Sequence, residues 1–125
     1  MMMEAGLVIG SDGEPIRVHL PSGRSSTYLP DSRELWEFLW EHKESVAGIA
    51  HSHPGSGIPG PSHEDITTFA AIEAGLGRRL SWWIASSDMS VLVRWKGPER
   101  LDYVTYEYVD AEPSWMKELR WISTT

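Results

Sequence analysis

The sequence predicts an α/β (α+β) domain in which a mixed β-sheet packs against two main helices. Short apolar runs of strand length recur along the chain, and two longer segments with helical spacing separate them. Clusters of glycine, proline and serine mark the turns between these segments. The resulting order of strand, strand, helix, strand, helix and three more strands is typical of a sheet covered by helices. At 125 residues we expect one domain, residues 1–125.

The first half of the chain predicts a hairpin, a helix and a buried strand. Ala5–Ile9 and Ile16–Leu20 read as the two strands of the hairpin, because a Ser-Asp-Gly turn joins them. An amphipathic helix follows from about Ser32 to Glu44, with Asp31 as its N-cap. The short apolar run Val46–Ala50 suits a strand buried in the sheet.

The second half predicts a second main helix, three strands and a short terminal helix. The main helix begins after Ser62, which can cap it, and ends near Leu76, where two glycines stop it. The other predicted elements are the strands Leu80–Ala85, Ser90–Trp95 and Leu101–Val109 and the helix Trp115–Ile122. We expect Trp115 and Trp121 to be exposed on this last helix.

Composition limits the kinds of site and partner that we expect. The chain has no cysteine, which excludes disulfides and thiolate metal sites, so a metal would have to bind His, Asp or Glu. The net charge of −7 argues against nucleic-acid binding, which depends on clustered Lys and Arg. No apolar run approaches the roughly 20 residues of a membrane span. We therefore expect a cytoplasmic protein that binds neither nucleic acid nor membrane.

The segment 51–65, HSHPGSGIPGPSHED, concentrates the residues that can carry chemistry. His51 and His53 follow a buried strand, where residues i and i+2 point to the same side, roughly 6.6 Å apart. Both imidazoles can therefore reach one ion, at about 2.0–2.1 Å from each nitrogen. Ser52 points to the other side. An isolated histidine pair on a strand is more often an ordinary pair than a metal site, so the acidic residues after the loop matter.

Helical spacing indicates which of these carboxylates is the third ligand. Asp65 shares a stripe with Phe69, Ile72 and Leu76, which should face the sheet, and Glu64 lies roughly 100° away. Asp65 is therefore expected to face the strand that carries the histidines. Two histidines and one carboxylate leave a fourth position open on a tetrahedral zinc ion, which is typical of catalytic sites.

His-Ser-His-Pro followed by Pro-Ser-x-x-Asp resembles the signature of the JAMM (MPN-plus, JAB-domain) zinc metalloproteases. The resemblance extends from about Glu4 to Trp95 and implies a JAB/MPN-like (cytidine-deaminase-like) fold. It also implies that His51, His53 and Asp65 bind Zn²⁺ and that Ser62 hydrogen-bonds the oxyanion of the tetrahedral intermediate. The alternative is that Ser62 only caps the second helix.

The same resemblance implies a glutamate on the first strand as general base. The candidate is Glu4 in EAGLVIG, with Glu14 as the alternative. Here glycine follows the glutamate at the second position, whereas the family commonly has it at the third, which in a strand could turn Glu4 to the wrong face. The loop from His53 to Asp65 is also one residue longer than the commonest spacing.

By resemblance, the function would be hydrolysis of an amide or isopeptide bond at the carboxyl-terminal tail of a ubiquitin-like or sulfur-carrier protein. One alternative is an inactive MPN-like scaffold that binds a partner, although inactive relatives usually lose metal ligands and this chain keeps them. Another is a RadC-like protein associated with DNA repair, against which the acidic charge counts.

Overall fold

Six strands form one mixed sheet in the computed structural model, which describes residues 2–125 of the chain. In chain order the elements are β1 (Gly6–Gly10), β2 (Pro15–His19), α1 (Arg33–Glu41), β3 (Val46–Ser52), α2 (His63–Leu76), β4 (Ser81–Ala85), β5 (Ser90–Trp95), β6 (Tyr103–Glu107) and α3 (Met116–Ser123). The strand order across the sheet is β2-β1-β3-β4-β5-β6. The predicted α+β architecture is confirmed. Within residues 2–125, every helix is too short or too polar to span a lipid bilayer.

Helices cover both faces of the sheet. The two main helices α1 and α2 share one face, where Leu39, Phe69 and Trp82 belong to one buried cluster. Helix α3 covers the opposite face, where Met116 packs in a second cluster with Leu7. Burying side chains of this size stabilises the fold by about 1.5–3 kcal/mol each. The alternation of strand residues between the two clusters fixes which side chains reach the α1/α2 face.

The only parallel strand pair in the described sheet is β3 with β4, and α2 connects these two strands. This crossover brings the carboxyl end of β3 near the start of α2. The two strands approach closely at Gly48, where a Cβ atom would lie 1.7 Å from the carbonyl oxygen of Ser81. Only glycine fits there, so the path of β3 toward its carboxyl end depends on this residue.

Helix α1 begins and ends differently from its prediction. Ser32, and not Asp31, is the N-cap: its backbone is extended, and its Oγ accepts the backbone N–H three residues on at 3.1 Å. Asp31 instead accepts a hydrogen bond from the indole of Trp36 at 2.8 Å. The helix ends at Glu41 because residues 42–45 form a turn.

The carboxyl-terminal segment also differs in part from its prediction. Strand β6 is shorter than predicted and mostly exposed, because it lies at the edge of the sheet. Trp115 is buried, with its ring 5.2 Å from that of Trp83 in an edge-to-face contact, so its predicted exposure is wrong. Trp121 is 68% exposed, as predicted.

Candidate metal centre

Strand β3 carries two histidines at its carboxyl end. The strand runs two residues further than predicted, so His51 lies within it and His53 follows directly. Their Nε2 atoms lie 3.0 Å apart. Ser52 points to the opposite face and is completely buried. The two imidazoles therefore converge on the α1/α2 side of the sheet, as the alternation of strand residues requires.

The first turn of α2 adds the carboxylate of Asp65. Its Oδ2 atom lies 3.1 Å from Nε2 of His53 and 3.5 Å from Nε2 of His51. The same oxygen accepts the backbone N–H of Ser62, and the Ser62 hydroxyl accepts the backbone N–H of Asp65, both at 3.0 Å. This reciprocal capping box fixes the carboxylate through the helix terminus itself.

These three atoms are spaced like the ligands of a tetrahedral metal ion. Ligands at about 2.0–2.2 Å from a zinc ion lie about 3.3 Å from one another. The observed separations of 3.0, 3.1 and 3.5 Å bracket that value. Two imidazoles and one carboxylate also form a donor set that zinc accepts with a fourth position left open. The residues present therefore fit a zinc ion.

The electrostatics of the candidate metal centre favour binding of a cation. Burial works to raise the pKa of Asp65, but hydrogen bonds from His51, His53 and the Ser62 backbone hold it far below its usual range. Burial works to lower the pKa of His53, but the hydrogen bond and charge of Asp65 and the charge of Glu4 outweigh it and raise that pKa. The negative charge of Asp65 and Glu4 thus favours a positive charge at the histidines, which either a proton or a metal ion can supply.

Glu4 lies beside the two histidines, immediately before β1. A carboxylate oxygen of Glu4 and one ring nitrogen from each of His51 and His53 all lie within 4.8 Å of one another. Gly6 pairs with His51 in the β1–β3 ladder, and Glu4, two residues earlier, falls on the same face. The short spacing between Glu4 and Gly6 therefore keeps the carboxylate on the side of the histidines.

Glu4 is well buried, whereas Glu14 is remote from the histidines. Burial raises the pKa of Glu4, although the charges of His51 and His53 work against this effect. Glu14 occupies an exposed turn beyond Gly10, at the other end of β1 and about 13 Å along the strand from Gly6.

Ser62 caps α2 and remains exposed. In the cap its hydroxyl oxygen accepts a hydrogen bond, which leaves its own O–H able to donate. The geometry is thus compatible with both predicted roles of Ser62, capping the helix and donating to a substrate oxygen.

A family model for prokaryotic homologs of the JAB domain matches residues 4–96. The chain belongs to the JAB-domain family. The match includes Glu4, His51, His53, Ser62 and Asp65 and leaves β6 and α3 beyond its end. No curated protein matches the chain.

A cleft of about 500 Å³ opens beside the metal centre of this JAB domain. Its floor is apolar and includes Ile49 and Phe69, and one wall is the segment 26–31. Asp31 and Glu64 add carboxylates to its lining, and no Lys or Arg lines it among the described residues. The cleft therefore suits an extended substrate that is neutral or basic.

The loop 54–61 beside the centre is tied to the turn between β4 and β5. The Gly57 backbone N–H donates to Oδ1 of Asp88 at 2.9 Å, and the Ser86 hydroxyl donates to the Gly57 carbonyl at 2.6 Å. Arg120 of α3 in turn donates from Nε to the Ser86 carbonyl at 2.8 Å. The middle of this Gly/Pro loop is thus anchored to the rest of the JAB domain.

Two buried polar residues have structural roles whose partners sequence reasoning did not identify. Glu73 accepts hydrogen bonds from the backbone of Leu80 and the indole of Trp82, both at 2.9 Å, and so joins α2 to β4. Trp82 stacks on Phe69, whose ring lies edge-on to His51 at 6.1 Å. Glu73 is four residues after Phe69, so helical spacing places it on the apolar stripe and could have indicated that it is buried.

The second residue is His19, which is buried and lines the cleft. Its Nε2 lies 2.8 Å from the carbonyl oxygen of Pro30, and since a carbonyl can only accept, the ring donates. Burial lowers the pKa of His19 and so favours its neutral form. This bond attaches the wall of the cleft to the sheet.

Proposed function

We propose that this JAB-domain protein is a zinc-dependent hydrolase that cleaves an amide or isopeptide bond. The observation that carries the proposal is the spacing of His51, His53 and Asp65, which is that of three ligands on one tetrahedral ion. Asp65 is preferred to Glu4 as the third ligand because its oxygen is within 3.1–3.5 Å of both ring nitrogens. When bound, zinc supplies Lewis-acid chemistry, polarising a carbonyl and lowering the pKa of water to about 7.

The protein's own residues supply the proton transfers and the charge stabilisation. Glu4 takes a proton from the attacking water and returns it to the leaving amine, so that the amide becomes a carboxylate and a free amine. Burial raises the pKa of Glu4, which makes its carboxylate a stronger base than an exposed glutamate. Ser62 donates its O–H to the carbonyl oxygen as negative charge develops there.

The cleft supports a protein tail as the substrate. We propose the carboxyl-terminal tail of a ubiquitin-like or sulfur-carrier protein, because the open cleft can admit an extended chain and its acidic lining disfavours phosphate-rich substrates. The match to JAB-domain homologs supports the same class of reaction.

The test is cleavage of fusions that carry a peptide on the carboxyl terminus of ubiquitin-like and sulfur-carrier proteins. We expect cleavage that a chelator abolishes and added zinc restores. Glu4→Gln should fall about 10²–10⁴-fold in kcat while retaining zinc, and Glu14→Gln should behave as wild type. Zinc-loaded wild-type protein that binds such a tail without cleaving it would instead support the scaffold alternative.

A further inference from the structure

Two buried serine hydroxyls connect the last helix of the chain to the segment that carries Glu4. Ser52 lies on β3 between the two histidines but on the opposite face, and Ser123 lies at the end of α3. Both residues are 0% exposed, and their Oγ atoms are 2.9 Å apart. Ser123 is beyond the part of the chain that matches the JAB-domain family.

Only one arrangement of protons satisfies these hydroxyls. The Met3 carbonyl can only accept, so the Ser123 hydroxyl donates to it, at 2.5 Å. The Ser52 hydroxyl must therefore donate to Oγ of Ser123, and its own oxygen accepts the backbone N–H of Ala5 at 3.0 Å. The hydrogen bonds thus run from the Ala5 amide through Ser52 and Ser123 to the Met3 carbonyl. We call this path the serine relay.

The serine relay ends on the two peptide groups that flank Glu4. Regular pairing of β1 begins at Gly6, and one further backbone hydrogen bond, from the Ser52 N–H to the Ala5 carbonyl at 3.0 Å, ties the residue after Glu4 to β3. On its other side, the Glu4 backbone is held by the Ser25 carbonyl at 2.7 Å and by Nη1 of Arg24 at 3.1 Å. The N–H and carbonyl of Glu4 itself are therefore bonded outside the sheet, and the serine relay adds side-chain hydrogen bonds to the backbone bonds that hold Met3 and Ala5.

We propose that Ser52 and Ser123 are positioning residues that hold Glu4 in place for catalysis. Through Ser123, α3 therefore contributes to the geometry of the active site. This inference rests on the proposed function, in which Glu4 is the base. Neither hydroxyl is on the face that carries the metal centre, so both act through the backbone of residues 3–5. A displacement of about 1 Å at a catalytic group can cost about 100-fold in rate.

The kinetic test compares Ser123→Ala with Thr124→Ala. Thr124 is the matched control, because its hydroxyl donates only within the helix, to the Trp121 carbonyl at 2.7 Å. We expect Ser123→Ala to lose about 10- to 100-fold in kcat with KM and zinc content unchanged, and Thr124→Ala to match wild type. In a Glu4→Gln background, Ser123→Ala should cause no further loss. A folded Ser123→Ala protein with full kcat would overturn the proposal.

A second measurement does not depend on activity. In zinc-free protein, Ser52→Ala removes the acceptor of the Ala5 amide, so hydrogen exchange at Ala5 should accelerate at least about 10-fold while the Leu7 amide stays protected. Unchanged exchange at Ala5 would refute the serine relay even if the enzyme is active. Faster exchange at Ala5 in a protein that cleaves nothing would refute the proposed function alone. If Ser52→Ala does not fold, Ser52→Cys, with its weaker donor and acceptor, provides the same comparison.

Discussion

Nε2 of His51 lies 3.0 Å from Nε2 of His53, and the Asp65 carboxylate lies against both. Two ring nitrogens at this distance must share a proton or a metal ion, because two facing lone pairs repel each other. Protons and zinc therefore compete for the same atoms, and this competition governs how the centre responds to mutation and to pH.

Removing one ligand should reduce zinc binding. We expect about one zinc per chain in the wild type, with affinity falling steeply below about pH 6 as the histidines are protonated. His51→Ala and Asp65→Ala should each lower the zinc content measured by elemental analysis. Glu64→Ala, which changes an exposed neighbour on α2, should retain zinc. Stoichiometric zinc in a His51→Ala, His53→Ala double variant would disprove the ligand assignment.

The metal-free protein should gain stability from His53 at lower pH. Its folded-state pKa is raised, so its contribution is fully present below about pH 6.5 and is lost as pH rises through the raised value. Asp65, with a depressed pKa, contributes above about pH 4 and loses that contribution as pH falls through the depressed value. His53 and Asp65 therefore both contribute fully to stability between roughly pH 4 and pH 6.5, and the contribution of His53 declines above that range.

Thermal unfolding of chelator-treated wild type and His53→Gln at pH 5.5 and pH 8 measures this contribution. The comparison with His53→Gln is needed because two other buried groups also make stability depend on pH. The lowered pKa of His19 favours the folded state at higher pH, and the raised pKa of Glu4 favours it at lower pH, as His53 does. The wild type should exceed His53→Gln in Tm by more at pH 5.5 than at pH 8. Added zinc should reverse the trend, because it stabilises the wild type more as pH rises. An equal Tm difference at both pH values would contradict the raised pKa.

Ser62→Ala should affect stability and rate separately. Loss of the cap should cost about 1 kcal/mol of stability, and loss of a donor to the oxyanion about 10²–10³-fold in kcat. Ser32→Ala is the matched control, since Ser32 caps α1 in the same way. It should lose similar stability and keep its kcat. If both variants lose only stability, Ser62 is a helix cap and nothing more.

Gly48→Ala should prevent or severely weaken folding. The added Cβ would meet the backbone oxygen of Ser81 at 1.7 Å, and backbone cannot move aside as a side chain can. Overpacking in a core costs about 1–3 kcal/mol, and a backbone clash of this size should exceed that range. Gly60→Ala is the control, because nothing lies within 4 Å of its new Cβ. Equal Tm values for the two variants, from thermal unfolding, would contradict the observed approach of β3 and β4.

Features that depend on local periodicity could be predicted from the sequence. The hairpin, both main helices and the direction of Asp65 follow from apolar spacing, and the structure agrees with them. The predicted N-cap of α1 is wrong because Asp31 and Ser32 are adjacent and both residue types are good caps. Only the contact of Asp31 with the Trp36 indole distinguishes the two residues.

Features that depend on long-range contacts could not be predicted. The face of Glu4 could not be read from the sequence because Glu4 lies before the first paired residue of β1, and its own N–H and carbonyl bond to Ser25 and Arg24 in a distant loop. Ser52 and Ser123 are separated by 71 residues, and no sequence pattern links them. Trp115 was expected on the surface because a short terminal helix carries too few residues to show which face is buried.

The bond between Ser123 and Met3 joins residues 120 positions apart, close to the largest separation that the chain permits. Contacts of such high sequence separation are among the last that a folding chain can form, because the intervening residues must first be ordered. On the ribosome, Glu4 is synthesised long before α3, the helix that supplies Ser123. If the serine relay acts as proposed, a nascent chain in which α3 has not yet folded holds the histidines in place but leaves Glu4 without its full set of contacts, and it remains inactive.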